Sequence, residues 1–398
     1  MAHALPARHL LSPRNHHENN RLGARQRPSL RARRRARPAT FSVRVGVCVL
    51  LFFLPAPPRP LAQQRATNDQ ALRVGRFRLS GYGQFDARLL QDADTEEPAD
   101  PLSIRRIFII FAGDIIPQVG FVLQGDLTDK RILRDAYVNF KHFPAAEVRI
   151  GQFVAPFSLE RLTGTSRLEA IDRTDIGTRL SPSRDIGIMV ANSTPFWDWL
   201  SYGAAVVNGT GRNTSDNNDP KDLVGRLSAT VPAWRGFSIG VNGAIGDQPE
   251  GRRSRVGADM AYDQPLYRVA AEVVREAHGS IVAADERVNV SRGGPFARRG
   301  FYLLGVWKVA GGIVEIDAEG NVTLPDRRLE LVARYVDLDD PTGELSTREI
   351  QTGANYYLSP TVRVMLQGSL QTKDSPVIAG DTIEIPGHRL VLRAQISF

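Results

Sequence analysis

The sequence predicts an all-β chain, a transmembrane antiparallel β-barrel of about sixteen strands. Three observations carry that expectation. The last eleven residues, His388–Phe398, alternate strictly: Leu390, Leu392, Ala394, Ile396 and Phe398 fall on one side, Arg389, Arg393, Gln395 and Ser397 on the other. The chain ends there on an aromatic residue, as the last strand of an outer-membrane barrel does. The same alternation recurs through the chain in segments of about ten residues, the span of a tilted membrane-crossing strand. A sandwich with its apolar face inward would give the same pattern, but so many long strands without a helical layer are uncommon in soluble sheets.

The expected strands are 74–90, 103–113, 117–128, 132–141, 146–153, 184–192, 199–208, 222–231, 237–246, 254–263, 267–276, 300–309, 327–337, 346–358, 361–373 and 388–398. Their even number places both ends of the barrel on one side. Connections such as Phe143-Pro144-Ala145, Asp263–Leu266 and Ser359-Pro360 read as tight turns. Gln91–Leu102, Gly209–Lys221, Ala277–Arg299 and Asp374–Gly387 read as long polar loops. Ala310–Asp326 breaks this rhythm and reads as an extra hairpin. Apolar positions such as Val362, Val364, Leu366 and Leu370 should face lipid, opposite Arg363, Gln367, Ser369 and Gln371. Trp197, Trp199, Trp234, Phe143, Tyr262 and Tyr267 gather near strand ends, where an interfacial girdle belongs.

Charge is unevenly placed. Of 51 Lys+Arg and 43 Asp+Glu, residues 1–62 hold 12 and 1, which leaves 39 and 42 for the rest. The basic character therefore belongs to the leader and gives no argument for nucleic acid. In that leader an Arg-rich run to Arg44 precedes the apolar core Val45–Leu54, and a Pro-rich stretch ends at Ala62. These are the parts of a secretory signal, with 63–398 as a single barrel domain and a start codon that could lie further downstream. Cys48 lies in the leader, so the barrel carries no thiol chemistry, and His142, His278 and His388 are thin material for a metal or acid–base centre. The expectation is no metal, no cofactor and no enzyme activity.

The longest irregular stretch, Val154–Ser183, follows the fifth strand and carries Glu160, Arg161, Arg167, Glu169, Asp172, Arg173, Asp175 and Arg179. A loop this long and charged is expected to fold inward and narrow the passage. Arginine is plentiful on the inward parity: Arg76, Arg78, Arg88, Arg149, Arg226, Arg255, Arg268, Arg363, Arg389 and Arg393. Asp86, Asp126, Asp135, Asp259, Glu272 and Glu330 share that parity. The arginines either line an anion path or brace the wall against these acids; both readings stand at this stage.

Leu133–Val190 contains Asp135-Ala136-Tyr137, Gly151-Gln152-Phe153, Pro156-Phe157-Ser158-Leu159-Glu160 and Arg184-Asp185-Ile186-Gly187. This run resembles the phosphate-selective porin O and P family. The resemblance implies a trimeric, sixteen-stranded outer-membrane channel for small anions such as phosphate. Its partners would be outer-membrane lipid and lipopolysaccharide, with the barrel-assembly machinery acting through Phe398. In phosphate-specific members a lysine cluster feeds an arginine ladder; here five lysines (Lys130, Lys141, Lys221, Lys308, Lys373) are scattered. Two other readings are a plugged barrel acting as an adhesin or structural protein, and a barrel hydrolase. No serine elbow or paired carboxylates accompany any of the three histidines.

Overall fold

The computed structural model describes residues 72–91, 102–194, 197, 199–216, 220–248, 251–279, 295–310, 315–316, 322–323, 328–341, 346–373 and 388–398. The leader 1–62, much of the loops at 91–102, 277–299 and 374–387, and part of 209–221 lie outside these residues. Sixteen long strands form one antiparallel sheet. They are β1 (Phe77–Gln91), β2 (Leu102–Ile116), β3 (Val119–Asp126), β4 (Leu133–Phe140), β5 (Glu147–Val154), β6 (Arg184–Ala191), β7 (Leu200–Val207) and β8 (Asp222–Thr230), followed by β9 (Phe237–Gln248), β10 (Gly251–Asp263), β11 (Tyr267–His278), β12 (Phe296–Ala310), β13 (Arg328–Asp339), β14 (Thr347–Ser359), β15 (Val362–Lys373) and β16 (Arg389–Ser397). Each pairs with its sequence neighbour, and β16 pairs with β1, from Arg389↔Gln91 to Ser397↔Tyr82. The sheet thus closes and leaves no edge, the condition for a sheet to exist in hydrocarbon. Phe398 finishes the closure: its N–H donates to Gly81 O at 3.0 Å and its carbonyl accepts from Gly81 N at 2.9 Å.

Every expected strand is present within a few residues of its expected bounds. The stretch 310–326 holds the expected extra hairpin, with Glu315–Ile316 paired to Val322–Thr323 apart from the main sheet.

Burial is inverted relative to a soluble protein. Leu123, Ile188, Leu227, Val241, Val256, Phe301, Leu331 and Leu366 are exposed, while Gln84, Asp86, Asp126, Asp259, Glu272, Glu330, Gln351, Asn355 and Arg393 are buried. Apolar side chains form the outer surface and polar ones fill the interior, which water alone would never favour. At the short-turn end an aromatic chain runs around the outside: Trp234–Phe237 at 5.4 Å, Phe237–Tyr262 at 6.2 Å and Tyr262–Tyr267 at 5.8 Å, with Trp197 stacked on Trp199. This is the girdle expected from the sequence.

Gly151 in β5 has φ +130°, and a Cβ there would lie 2.3 Å from the Ala136 carbonyl oxygen of β4. Gly151→Val should therefore destabilise the barrel by about 3 kcal/mol or more, from strain plus lost β4–β5 pairing. A urea titration of the detergent-folded barrel measures it; an unchanged midpoint would remove this account of the glycine.

Candidate functional site: the loop and the open wall

The chain between β5 and β6 turns into the barrel, and its sequence explains why. Ser158, at φ 61°, turns the chain and caps the short helix Leu159–Leu162, accepting the Arg161 N–H. Phe153, Phe157, Ile176 and Leu180 are fully buried and join one apolar cluster with wall residues Val207, Val274, Tyr302, Val336 and Leu338. Aromatic and aliphatic side chains on an inward loop have no lipid to face, so they pack on the inner wall of the barrel.

Polar anchors then carry the loop across to the far strands. Glu160 accepts from Arg334 of β13 at 2.8 Å and from the Thr174 hydroxyl at 2.7 Å. Glu272 of β11 accepts the Glu160 N–H at 3.1 Å. Asn355 of β14 donates to Glu169 O, Arg363 of β15 to Leu168 O, and Gln395 of β16 to Ser166 O. Arg393 of β16 grips Asp86 of β1 bidentately at 2.6 and 2.7 Å and also donates to Ile171 O. The loop therefore lies on β11–β16 and faces the wall made by β2–β6.

That open wall is rich in guanidinium. The β1–β2 register slips between Gln84↔Arg106 and Phe85↔Ile104, leaving Arg105 as an extra, bulged residue. A bulge re-aims a side chain, and here both Arg105 and Arg106 reach Asp172 of the loop, at 3.5 and 3.4 Å. Arg134 binds Asp126 at 2.7 Å and Asp129 at 3.0 Å, and Arg212 binds Asp129 at 2.7 Å. Arg184 grips Asp135 bidentately at 3.0 and 2.9 Å. From the loop, Arg173 donates to Thr163 O and to the Thr165 hydroxyl, and Arg161 to the Ser183 hydroxyl. Among the described residues of this wall and the loop facing it, five carboxylates (Asp126, Asp129, Asp135, Asp172, Asp185) thus stand with seven guanidiniums (Arg105, Arg106, Arg134, Arg161, Arg173, Arg184, Arg212). Burial and then the nearby Arg173, Arg184 and Arg134 push the Arg161 guanidinium below its ordinary value. Burial would raise the Asp172 carboxyl, but Arg393, Arg105 and Arg106 together hold it well below the ordinary carboxylate range.

At the short-turn end a cavity of about 320 Å³ is lined by Arg73, Arg76, Arg78, Lys141 and Arg149, with Asp114 and Tyr137. Arg149 lies over the Tyr137 ring at 4.2 Å, and Lys141 pairs with Asp114 at 2.5 Å.

The expected path residues fall into two groups. Arg255, Arg363 and Arg393 are buried, tied to Glu276, to Leu168 O with Gln395, and to Asp86 respectively. All three take the inward face that alternation assigns; Arg255 braces the wall, while Arg363 and Arg393 also hold the loop, through Leu168 O and Ile171 O. Arg226 pairs with Asp259, Arg268 with Glu169 and Asp263, and Arg389 with Glu349. Arg149 stays at the short-turn cavity. Of the loop residues, Arg167 is exposed and Arg179 pairs with Asp175, while Glu160 is buried as an anchor. The motif residues hold the loop's base. Gln152 donates to Arg134 O, and Asp185 accepts from Gly209 and Gly211 N–H groups. Pro156 lies against Gly203, and Gly187 against Val207. Arg105, Arg106, Arg134 and Arg212, which the structure places on or beside the open wall, were not among the expected site residues. Only the dipeptide Arg105-Arg106 on a strand, which alternation cannot accommodate, could have flagged the first two.

His278 contacts Glu276 at 2.8 Å and stacks on Phe296. Among the described residues no three His, Asp or Glu side chains are grouped to hold a metal ion.

The profile of the family described as "Phosphate-selective porin O and P" matches residues 75–233, which bears out the resemblance carried by Leu133–Val190. No curated relative matches the chain. Among solved structures, the chain is similar to the anion-selective porin from Comamonas acidovorans, at 13% identity and TM-score 0.52 over 81% of this chain and 99% of that one. It is also similar to the outer membrane channel DcaP of Acinetobacter baumannii, at 14% identity and TM-score 0.53 over 81% and 97%. Salmonella typhi OmpF, in complex with daunomycin, gives 11% identity and TM-score 0.55 over 81% and 97%. At these identities the likeness is one of fold: a sixteen-stranded porin barrel.

Proposed function

We propose that a barrel carrying this porin signature is an outer-membrane diffusion channel that passes small hydrophilic solutes and prefers anions. The observation that carries the preference is the imbalance between the open wall and the loop facing it, where seven guanidiniums stand with five carboxylates among the described residues. An anion crossing there meets paired N–H donors and a positive field, and a cation meets repulsion. The basic cavity at the short-turn end extends the same field. On the opposite wall Arg255, Arg268, Arg334, Arg389 and Arg393 are each paired with an acid, while Arg363 is buried on Leu168 O and Gln395. Phosphate is one candidate solute among small oxyanions, since a guanidinium fork fits phosphate and carboxylate alike.

Residues 1–62 serve as the export leader in this reading, Phe398 as the signal to the assembly machinery, and the long loops face outward. A homotrimer is the assembly that the family resemblance implies, and one solved neighbour, OmpT of Vibrio cholerae, is described in a trimer form.

Reversal potential across a planar bilayer under a potassium chloride gradient tests the function. Stepwise conductance with chloride more permeant than potassium is expected, and phosphate on one side should reduce the chloride current. Absence of any open step would favour the plugged barrel; preference for potassium would overturn the anion path while leaving the channel.

A further inference from the structure

The outer surface at the long-loop end carries charge of an unusual arrangement. Tyr267 of β11 is the cross-strand partner of Trp307 of β12 in the aromatic belt, and the register runs unbroken from that pair to Arg275↔Arg299. Val273 and Phe301, the outward residues immediately before the arginines, are 49% and 44% exposed, so both arginines share the lipid-facing parity. Eight residues of strand advance about 26 Å, and a tilt of about 40° leaves roughly 20 Å of height. That is close to the thickness of an outer-membrane apolar band, about 25 Å. Tyr267 and Trp307 thus mark one edge of the band, and Arg275 and Arg299 mark the other.

Two like charges placed directly opposite on adjacent strands have Cβ atoms about 5 Å apart and repel one another. Sequence variation could remove such a pair at no cost to packing, because neither side chain is enclosed. The acid nearest the pair is Asp339, the cross-strand partner of Arg299 on β13. Arg299 reaches Asp339 at 3.5 Å in a bridge whose side chains are 77% and 49% exposed. Arg275 has no ion pair among the described residues, and its partner on the β10 side is Val256. Below the pair Val256, Val273, Phe301 and Leu303 are outward and apolar, and the acid opposite Phe301 on β13, Asp337, is engaged by Arg348 at 3.0 Å and the Tyr335 hydroxyl at 3.1 Å.

We propose that Arg275 and Arg299 form a clamp for a phosphate group of an outer-leaflet glycolipid, whose acyl chains lie on Val256, Val273, Phe301 and Leu303. A phosphate between two guanidiniums turns their repulsion into paired charge-assisted hydrogen bonds. The inference rests on the outer-membrane reading, with long loops facing outward, and it concerns the outside of the barrel, not its passage.

The test uses the complete folded barrel in detergent, with bisphosphorylated lipid A and its dephosphorylated form as probes, read by native mass spectrometry. The wild-type barrel is expected to retain the bisphosphorylated lipid in preference to the dephosphorylated one. The R275Q/R299Q double variant should lose about tenfold or more of that affinity, and R275K/R299K should lose less. Conductance steps and ion preference of both variants should match wild type, which keeps this test separate from that of the channel. Equal retention of the two lipids, or unchanged retention by R275Q/R299Q, overturns the clamp. Displacement of the lipid by millimolar inorganic phosphate overturns it in favour of a free-anion site, and loss of oligomers in R275Q/R299Q overturns it in favour of a subunit contact.

Discussion

Arg393→Ala should release the loop and unlock the barrel's closing seam together. Arg393 has no exposed surface, joins β16 to β1 through Asp86 and holds the loop through Ile171 O and Asp172. Truncation leaves the Asp86 carboxylate buried without its cation, and breaking one half of such a pair costs about 3–5 kcal/mol. It also frees the loop carbonyl and removes one of the three arginines on Asp172. Two readouts should move together: a lower urea midpoint for the detergent-folded barrel, and larger, noisier single-channel steps as the loop leaves the lumen. Asp86→Asn with Arg393→Met removes both charges and should recover part of the stability without restoring the loop. A normal, quiet conductance in Arg393→Ala would refute the anchoring role. Acid should be a weak perturbant at this joint. The Asp172 carboxyl is held below its ordinary range, so its contribution is complete above about pH 4, the unfolded carboxylate range, and is lost only as pH falls further.

What the sequence made legible follows from period two. Alternation says which face a residue takes, so the sixteen strands, the lipid face and the polar interior were readable from residues such as Val364 against Arg363. The family motif was readable because its residues are local: Gly151 permits close β4–β5 approach, and Ser158 turns the chain inward. Alternation says nothing of partners. Arg393 and Asp86 are 307 positions apart and meet only because the barrel closes. Burial of Arg363 depends on a loop that crosses the lumen, and no strand pattern contains that. Arg105 violates alternation through a bulge, so period-two reasoning places it on the lipid face, where a guanidinium would be costly. The readable residues thus say where charge is kept, and the fold decides which charge stays wet.

The wet charge is where selectivity should be most sensitive. Arg105 and Arg106 share the single carboxylate Asp172, which also meets Arg393, so the β2 edge of the open wall keeps an excess of positive charge. Their side chains remain 42% and 14% exposed, unlike Arg393. Replacing both with glutamate changes the local charge by four units beside a passage whose opposite side is the loop. At about 4 Å a unit charge acts on a passing ion with roughly 1 kcal/mol in water and roughly 4 kcal/mol near a protein surface. Even the lower figure, applied to each substitution, shifts the anion-to-cation permeability ratio by more than about tenfold. R105E/R106E is therefore expected to reverse the sign of the reversal potential at low salt, with a smaller effect at 1 M, where screening is short-ranged. Two controls separate this from general damage. R105Q/R106Q should give an intermediate ratio with near-normal step size. Arg255→Gln with Glu276→Gln removes one charge of each sign from the opposite wall, where Glu276 also meets His278 and Arg298, and should leave the ratio in place. If R105E/R106E keeps wild-type selectivity, the deciding field comes from Arg161, Arg173 and Arg184 at the loop's base, and the bulge on β2 is a feature of packing alone.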